Sequence, residues 1–529
     1  MNRLIIFLSL SFFSCTVHQN DQTNLYGKRP NILFCIADDA SFPHMSAYGC
    51  SWVKTPGFDT VAKNGIMFMN AYTPNAKCGP SRSCILSGRN SWQLETAANH
   101  VADYPDKFQT FPEALQESGY FVGVTGKGLR PMRVSPGRQV IGKVFDDRRL
   151  KTPTSHMSTI DYSANFEEFF NEKPKNKPFC FWYGGFEPHR TYEYGSGSKI
   201  GKKKLEEIDR VFSFWPDNEV VRQDMLDYAF ELEYFDNHLL QMMEFLKEKG
   251  EFNNTIIIVT SDNGMPFPRI KGQNYELSNH LPLAIMWPEG IKHKNRTITD
   301  FVSFIDFAPT FLDVAGISES SRKLKSSGKS LLKLLASNKS GQIDPTRDHV
   351  LIGKERHDVG RPNDWGYPTR GIVKGDYLYI HNMAHDRWPS GHPYTGYMNC
   401  DGSPTKTECL KARPISSTYK FWELSLGKRD EYEFFNIKKD PDCVNNLFAD
   451  LSQRKKINEL KTQMIEELKA QGDPRMFGKG EFFDNIVYYE EPNSNYYTKF
   501  MRGDDIAAGW INPSDVDKRG VTNNTKGSK

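Results

Sequence analysis

The sequence has almost no net charge, few cysteines for its length and hardly any long apolar runs. Its 68 Lys and Arg against 65 Asp and Glu give a net charge of +3, which argues against a dedicated nucleic-acid binder. Nine cysteines in 529 residues are too few for a disulfide framework. Beyond the N-terminus, no apolar stretch is long enough to span a bilayer. A chain of this length is expected to form two domains, or one large domain with an appendage.

Residues 1–24 have the pattern of an export signal. A positive start at Met1-Asn2-Arg3 precedes the mostly apolar run 4–13, and small residues follow it. Cys15 is a candidate lipidation site, whose acylation would tether the protein to a membrane surface. Plain signal cleavage nearby is the alternative. We therefore expect an exported bacterial protein, either periplasmic or anchored to a membrane as a lipoprotein.

Four largely apolar runs end abruptly in polar or charged residues. They are "PNILFCIADD" from residue 30, "YFVGVTGKG" from 120, "PFCFWYGGFEPHR" from 178 and "TIIIVTSDNG" from 255. Runs that are apolar on both faces are typical of parallel strands covered by helices. Between them, the segment from Asn218 to Lys249 repeats apolar residues at helical spacing. The pattern predicts an α/β domain at 25–369, with a mostly parallel central sheet sandwiched by helices.

The character of the sequence changes after residue 369. Short strand-like runs follow at 370–382 and 431–442, and 453–471 is an amphipathic segment with alternating charge. We predict a smaller C-terminal α+β subdomain with an antiparallel sheet at 370–513, and a polar tail at 514–529. Cys400 and Cys409 flank a turn-rich loop, where a local disulfide is expected in an oxidising compartment.

Polar side chains at the strand ends are expected to meet in one crevice, because ligands bind at the carboxyl ends of the strands in such sheets. The residues in question are Asp38, Asp39, Lys127, His189, Asp262 and Asn263. Three carboxylates and an amide oxygen form a hard donor set that suits Ca²⁺ or Mg²⁺. Each of these residues also has a purely structural interpretation. The acids are common in ordinary turns, Lys127 could begin a helix, and His189 could be a buried core histidine.

The stretch "NAKCGPSRSCILSGR" places a thiol just before a residue that can start a helix. Pro80 lacks an N–H that a first helical turn does not need, so Cys78 is expected near the positive helix end, where anions bind. A buried turn cysteine and a thiolate nucleophile would also fit. The order C-x-P-S-R, followed by an apolar pair and a small-Gly step, resembles the signature of the type I sulfatases of the alkaline phosphatase superfamily. In that family the cysteine is oxidised to formylglycine.

The resemblance covers about residues 30–447 and implies specific roles. It implies one Ca²⁺ held by Asp38, Asp39, Cys78, Asp262 and Asn263, with Cys78 in its formylglycine form. Arg82 would orient the formylglycine, and a formylglycine-generating enzyme would be needed for maturation. Lys127 and Lys271 would hold sulfate oxygens, while His189 would protonate the leaving group.

One departure from the family pattern lies in the lysine motif. Many sulfatases continue it as Gly-Lys-x-His, whereas Leu129 stands at the place of that histidine here. Either His100 supplies a nearby imidazole, or the site works without one.

Charged residues around the site are the candidates for sugar contacts. They are His100, Glu187, Arg190, Glu355, His357, Asp358 and Arg370. For the segment 354–370 a solvated loop is the alternative. Within the family, 187–190 and 261–275 are most similar to the members that hydrolyse N-sulfated glucosamine. We therefore predict a sulfated-saccharide substrate, with the N-sulfate of heparan-type glucosamine foremost and an O-sulfatase on amino sugars or other glycans as the near alternative.

Two other classes of protein are alternatives to this prediction. A phosphatase or phosphodiesterase of the same superfamily would be expected to use Ser or Thr and a zinc site rich in His, which the acid-rich donors do not match. A catalytically silent sulfated-glycan binding protein is supported by Leu129 alone.

Overall fold

The structure is a computed structural model that describes residues 29–517. The predicted export signal with Cys15 lies outside the described residues, as do positions 518–529 of the predicted tail. Among the described helices, none has the length and apolar character needed to cross a membrane.

An eight-stranded sheet organises the larger part of the chain. Its strands are β1 (Asn31–Ala37), β2 (Ile66–Tyr72), β3 (Phe121–Gly126), β4 (Lys143–Val144), β5 (Phe179–Gly184), β6 (Thr255–Ser261), β7 (Leu283–Met286) and β8 (Arg296–Ser303). The order is β4-β3-β5-β1-β6-β7-β2-β8, and only β7 runs antiparallel to its neighbours. β1 therefore lies in the middle, paired in parallel with β5 and β6.

Helices cover both faces of this sheet. Within 29–517 the α-helices are α1 (Pro56–Lys63), α2 (Cys78–Ser87), α3 (Phe111–Glu117), α4 (Tyr162–Glu172), α5 (Ser196–Lys199), α6 (Glu219–Glu248), α7 (Glu276–Asn279), α8 (Phe307–Val314), α9 (Leu332–Ala336), α10 (Pro404–Ala412), α11 (Tyr419–Leu426), α12 (Arg454–Ala470), α13 (Glu481–Asp484) and α14 (Tyr496–Arg502). Alternate residues of β1 enter different cores: Phe34 packs with α3 and α8, and Leu33 with α4 and α6. The strand is apolar on both faces because both faces are buried.

A four-stranded antiparallel sheet forms the second part. Its strands are β9 (His349–Lys354), β10 (Thr369–Lys374), β11 (Tyr377–Asn382) and β12 (Tyr432–Asn436), in the order β12-β11-β10-β9. The amphipathic helix α12 packs one apolar face on this sheet through Leu460 and Met464. The predicted fold class is confirmed. Since β9 precedes residue 370, the division of the chain at that residue stays a prediction.

The eight described cysteines are not bonded to one another. The local disulfide expected between Cys400 and Cys409 is therefore wrong. The Cys400 thiol lies against the carbonyl of Asp401, whereas the Cys409 thiol contacts the hydroxyl of Ser425, and both sulfurs are buried.

Candidate active site

Two neighbouring strands bring four polar residues together. β1 and β6 are parallel and end beside each other, so Asp38 and Asp39 meet Asp262 and Asn263. The backbone N–H of Asp39 donates to Asp262 Oδ1 at 3.1 Å, and Asn263 Nδ2 donates to Asp39 Oδ1 at 2.6 Å. All four residues are fully buried. The position of this group follows from the topology of the sheet.

Helix α2 directs Cys78 and Arg82 toward the same point. It begins at Cys78 with Pro80 in its first turn, and residues four apart share one helix face. Arg82 Nε donates to Asp262 Oδ2 at 2.7 Å, and its Nη1 donates to the carbonyl of Gly128 at 2.8 Å. The Cys78 thiol is buried, 3.9 Å from Asp39 Oδ1. A side chain at position 78 thus lies between the positive end of a helix and the strand-end acids.

Two lysines supply positive charge to the group. Lys127 follows β3, and its ammonium donates to Asp38 Oδ2. Lys271 Nζ donates to Asp39 Oδ2 at 2.7 Å and to Asp401 Oδ2 at 2.9 Å, and it lies 3.0 Å from His189 Nε2. Burial alone would lower the pKa of Lys271, but these two carboxylates raise it well above its usual value, so the amine stays charged.

These charges shift the pKa values of the acids and the thiol in different directions. Burial raises the pKa of the Cys78 thiol, but Lys127 and Lys271 outweigh it and leave the pKa below its usual value. Burial raises the pKa of Asp38 well above its normal range, and Lys127 offsets this only in part. The neighbouring Asp262 adds to the increase, because it repels a second negative charge. A bound cation would offset the remaining repulsion.

The donor atoms fit a hard divalent cation. Ligand atoms of Asp38, Cys78 and Asp262 lie within 4.8 Å of one another. Oδ1 of Asp38 and Oδ1 of Asn263 are buried and have no hydrogen-bond partner within residues 29–517. Carboxylate and amide oxygens of this kind suit Ca²⁺ or Mg²⁺.

A second group of possible ligands lies nearby but fits a cation less well. Asp39, His189 and Asp401 also have donor atoms within 4.8 Å of one another. The Lys271 ammonium already bonds both of these carboxylates. The third donor, His189 Nε2, also faces that ammonium, whereas Asp38 Oδ1 and Asn263 Oδ1 have no hydrogen-bond partner among the described residues, so the group containing Asp38 is the better candidate.

A pocket of about 280 Å³ opens above this group. We call the lining residues that form the group described above or adjoin it the pocket floor: Asp38, Lys77, Cys78, Lys127, His189, Lys271 and Asp401. We call the mostly apolar remainder the pocket rim: Val101, Arg130, Pro131, Phe186, Tyr488, Glu490 and Trp510. His100 and Asp358 also line the pocket. The charged base can bind an anionic group, and the more apolar rim can contact the body of the molecule that carries it.

Two of the candidate sugar contacts, His100 and Asp358, line this pocket, and five do not. Glu187 is buried and accepts hydrogen bonds from the Tyr162 hydroxyl and the Ser158 N–H, each at 2.9 Å. Arg190 forms a bidentate ion pair with Asp224 at 2.7 and 2.8 Å. Both side chains are satisfied by the protein itself.

The other three are buried beside β9 and β10, and two of them, Glu355 and Arg370, belong to one ion network. Arg370 donates to Glu355 at 2.7 Å and pairs with Asp473, and Glu355 also accepts from Arg475. His357 Nε2 lies 2.7 Å from the amide oxygen of Asn75. These three side chains therefore contact other parts of the protein and do not line the pocket.

Several pocket residues carry no clear signal in the sequence. Lys77 immediately precedes Cys78, which is a local clue to its position. Asp401 lies in the segment that joins β11 to β12, and Tyr488, Glu490 and Trp510 come from the C-terminal segment. These residues reach the site through tertiary packing, so no spacing in the sequence points to them.

Comparisons with known proteins agree with this geometry. A family model described as Sulfatase matches residues 30–317, more than half of the chain. The sequence is 25% identical to an N-acetylglucosamine-6-O-sulfatase of Bacteroides thetaiotaomicron, over 88% of this chain and 90% of that protein. It is also 25% identical to the N-sulphoglucosamine sulphohydrolase of Homo sapiens, over 84% of this chain and 91% of that one.

The fold is likewise similar to a solved structure. That structure shows a protein in complex with its substrate, D-glucosamine-2-N,6-O-disulfate, and the comparison gives a TM-score of 0.60 and 23% sequence identity. The match covers 84% of this chain and 99% of the other. With the family model spanning more than half of its residues, the chain belongs to the sulfatase family.

Proposed function

We propose that the protein is a calcium- and formylglycine-dependent sulfatase that removes sulfate from sulfated glucosamine in heparan-type saccharides. The observation that carries this proposal is a buried group beside one pocket, in which three carboxylates and two ammonium groups surround the helix-start residue Cys78: Asp38, Asp39, Asp262, Lys127 and Lys271. An anionic substrate suits the ammonium groups, and a hard cation suits the acids.

The residues around Cys78 fit both absent groups. The oxygens of Asp38, Asp39, Asp262 and Asn263 would hold Ca²⁺ beside formylglycine derived from Cys78. When bound, the cation supplies a Lewis acid for a sulfate oxygen, and the modified residue supplies the hydroxyl nucleophile of a hydrated aldehyde.

The other charged residues bind and orient the substrate. The ammonium groups of Lys127 and Lys271 bind sulfate oxygens, and Arg82 fixes Asp262. His189 Nδ1 donates to the carbonyl of Arg190 at 2.6 Å, so Nε2 is the nitrogen left to face the pocket. Nε2 lies 3.0 Å from the Lys271 ammonium and can only accept a hydrogen bond while the ring is neutral. His189 therefore acts as the acid for the leaving atom in its doubly protonated form, by releasing the Nε2 proton.

The choice of sugar rests on the relatives. An enzyme acting on N-sulfated glucosamine and one acting on 6-O-sulfated N-acetylglucosamine are equally similar to this chain, and they share the amino sugar. The resemblance of 261–275 to the first group favours N-sulfate. The relative from Bacteroides thetaiotaomicron makes the 6-O-sulfate the second candidate.

The test combines a mass spectrum with two substrates. The peptide that carries residue 78 is analysed from protein made in its own host, and sulfate release is measured on N-sulfoglucosamine and on 6-O-sulfated N-acetylglucosamine. We expect formylglycine at position 78, and activity that a calcium chelator abolishes. Cys78→Ala should be inactive, whereas Cys84→Ala, which changes another buried cysteine of α2, should remain active. An unmodified thiol in fully active protein would exclude this mechanism.

We also propose that the protein is exported and matured by a formylglycine-generating enzyme. The N-terminal pattern and Cys15 support export. The mass of the mature N-terminal peptide from the host distinguishes acylated Cys15 from plain signal cleavage, and an intact residue 1 in the mature protein would contradict export by this signal.

A further inference from the structure

His100 is a buried imidazole with one ring nitrogen fixed and the other unpaired. Its side chain lines the pocket, and the residue is 9% exposed. Nδ1 lies 3.1 Å from Asp358 Oδ1, whereas Nε2 is buried and has no hydrogen-bond partner in the part of the chain that the structure describes. The backbone N–H donates to the carbonyl of Arg356 at 3.0 Å, which fixes the main chain as well.

Asp358 sets the tautomer of this ring. Lys77 Nζ donates to Asp358 Oδ2 at 2.6 Å, and the backbone N–H of Asp358 donates to the amide of Asn399 at 3.0 Å. Although burial raises the pKa of Asp358, Lys77 and His100 hold it well below its usual value. An ionised carboxylate can only accept hydrogen bonds, so His100 Nδ1 carries the proton. In the neutral ring Nε2 is then a free acceptor.

The imidazole lies beside the first turn of α2. A Cβ atom added to Gly79 would come within 3.3 Å of His100 Cδ2, the ring carbon bonded to Nε2. Gly79 directly follows Cys78. Leu129, which stands at the histidine position of the lysine motif, is 5% exposed and packs in the hydrophobic core. His100 therefore provides an imidazole near residue 78 that the lysine motif does not.

We propose that His100 is a further catalytic residue, whose Nε2 accepts the proton of a hydroxyl group presented by residue 78. The O–H electron pair stays on the oxygen, and the positive charge gained by the ring is offset by Asp358. Asp358 and Lys77 are positioning residues, because they act through the imidazole. The inference rests on the proposed function, since the hydroxyl at position 78 comes from the modification of Cys78.

An unpaired buried nitrogen is not by itself evidence of a site. His238 Nε2 is also buried without a partner, but its ring packs against Tyr162 and Tyr234 and the residue does not line the pocket. Its Nδ1 lies 3.3 Å from the hydroxyl of Ser163, where the Nδ1 of His100 has the carboxylate of Asp358. His238 is therefore a matched control for His100.

A spectroscopic test works without the modification. The full chain is labelled with ¹⁵N-histidine and carries Cys78→Ser, which places a hydroxyl at this position, or Cys78→Ala as the control. The signal of His100 is assigned from its loss in His100→Gln. We expect Nδ1 to be protonated, and the Nε2 resonance to differ between the Ser and Ala proteins. Asp358→Asn should increase the Nε2–H tautomer. An Nε2 resonance that is identical in the Ser and Ala proteins would overturn the proposal.

Kinetics on the modified enzyme give a second test. His100→Gln and Asp358→Asn should each lower kcat by about 10²-fold or more, the usual size of a general-base contribution. KM should change by less than about threefold if His100 acts on residue 78, whereas a role limited to holding the sugar would raise KM and leave kcat nearly unchanged. His238→Gln should retain both constants. Normal kcat in His100→Gln refutes the role of His100. If the unaltered enzyme releases no sulfate, the proposed function fails, and the spectroscopic comparison still decides the inference.

Discussion

Arg370 distinguishes a sugar-binding role for the charged segment 354–370 from a structural one. Its guanidinium is fully buried and donates to Asp473 at 2.7 and 3.0 Å and to Glu355 at 2.7 Å. In Arg370→Met, Asp473 loses its guanidinium partner, while Glu355 keeps Arg475. Removing one partner of a buried ion pair costs about 3–5 kcal/mol, and the remaining arginine favours the lower end of this range. We expect a loss of about 3 kcal/mol in the free energy of unfolding.

Urea unfolding followed by circular dichroism measures this loss, and KM for the sulfated sugar is determined on the folded variant. KM should stay unchanged, because Arg370 does not line the pocket. The control is Arg148→Met: Arg148 pairs with Glu168 at 3.0 Å, and its side chain is 65% exposed. Exposed pairs contribute less than about 1 kcal/mol. If Arg370→Met unfolds like the unaltered protein but has a strongly raised KM, the structural role assigned here is refuted.

Three further predictions concern the pocket and the acid side of the stability profile. Lys271→Met should lower the rate of sulfate release by about 10²-fold or more, because it removes a buried positive charge proposed to bind a sulfate oxygen. The rate is measured at saturating calcium. Trp510→Ala and Glu490→Gln should raise KM and leave kcat nearly unchanged, since both residues line the pocket rim and not its floor. Burial lowers the pKa of His44 to about 3 and of His238 to about 4. Below about pH 6.5 the unfolded chain therefore binds more protons than the folded chain. Each histidine should reduce the free energy of unfolding by about 2 kcal/mol when the pH falls from 7.5 to 5. Urea titrations at several pH values measure this loss, which should be smaller in His44→Gln and in His238→Gln.

Strands buried on both faces could be predicted from the sequence, and shorter or mixed strands could not. β1 places successive side chains in two different cores, so its apolar run is unbroken. β7 has four residues, and nothing in "LAIM" shows that it runs antiparallel to β6. β2 alternates irregularly, because its pairing with β8 shifts register between Phe68 and Asn70. Direction and register depend on partners far away in the chain.

The same distinction applies to the site. Asp38 and Asp262 each come directly after a strand, and the two strands are neighbours in the sheet, so topology alone brings the two acids together. Two hydrogen bonds hold Trp510 at the pocket: its indole N–H donates to the carbonyl of Met398, and its own carbonyl accepts from the N–H of Gly402. The charged segment 354–370 suggested sugar contacts because a buried ion network has the same composition as a solvated binding loop. Burial separates the two, and the sequence does not show burial.

The bonds between lysines and acids imply that cation and substrate bind cooperatively. Lys127 and Lys271 each donate to an acid, Asp38 and Asp39, so a sulfate group has to compete with a carboxylate for each ammonium. A cation on those carboxylates weakens that competition, and binding linkage is reciprocal. In Cys78→Ala protein, which cannot turn over substrate, calcium should therefore tighten the binding of N-sulfoglucosamine by about tenfold, a coupling of about 1.4 kcal/mol. Calorimetry with calcium and with a chelator measures the effect, which Lys271→Met should reduce. If N-sulfoglucosamine binds with the same affinity in calcium and in the chelator, the carboxylates do not compete with the sulfate group for the lysines.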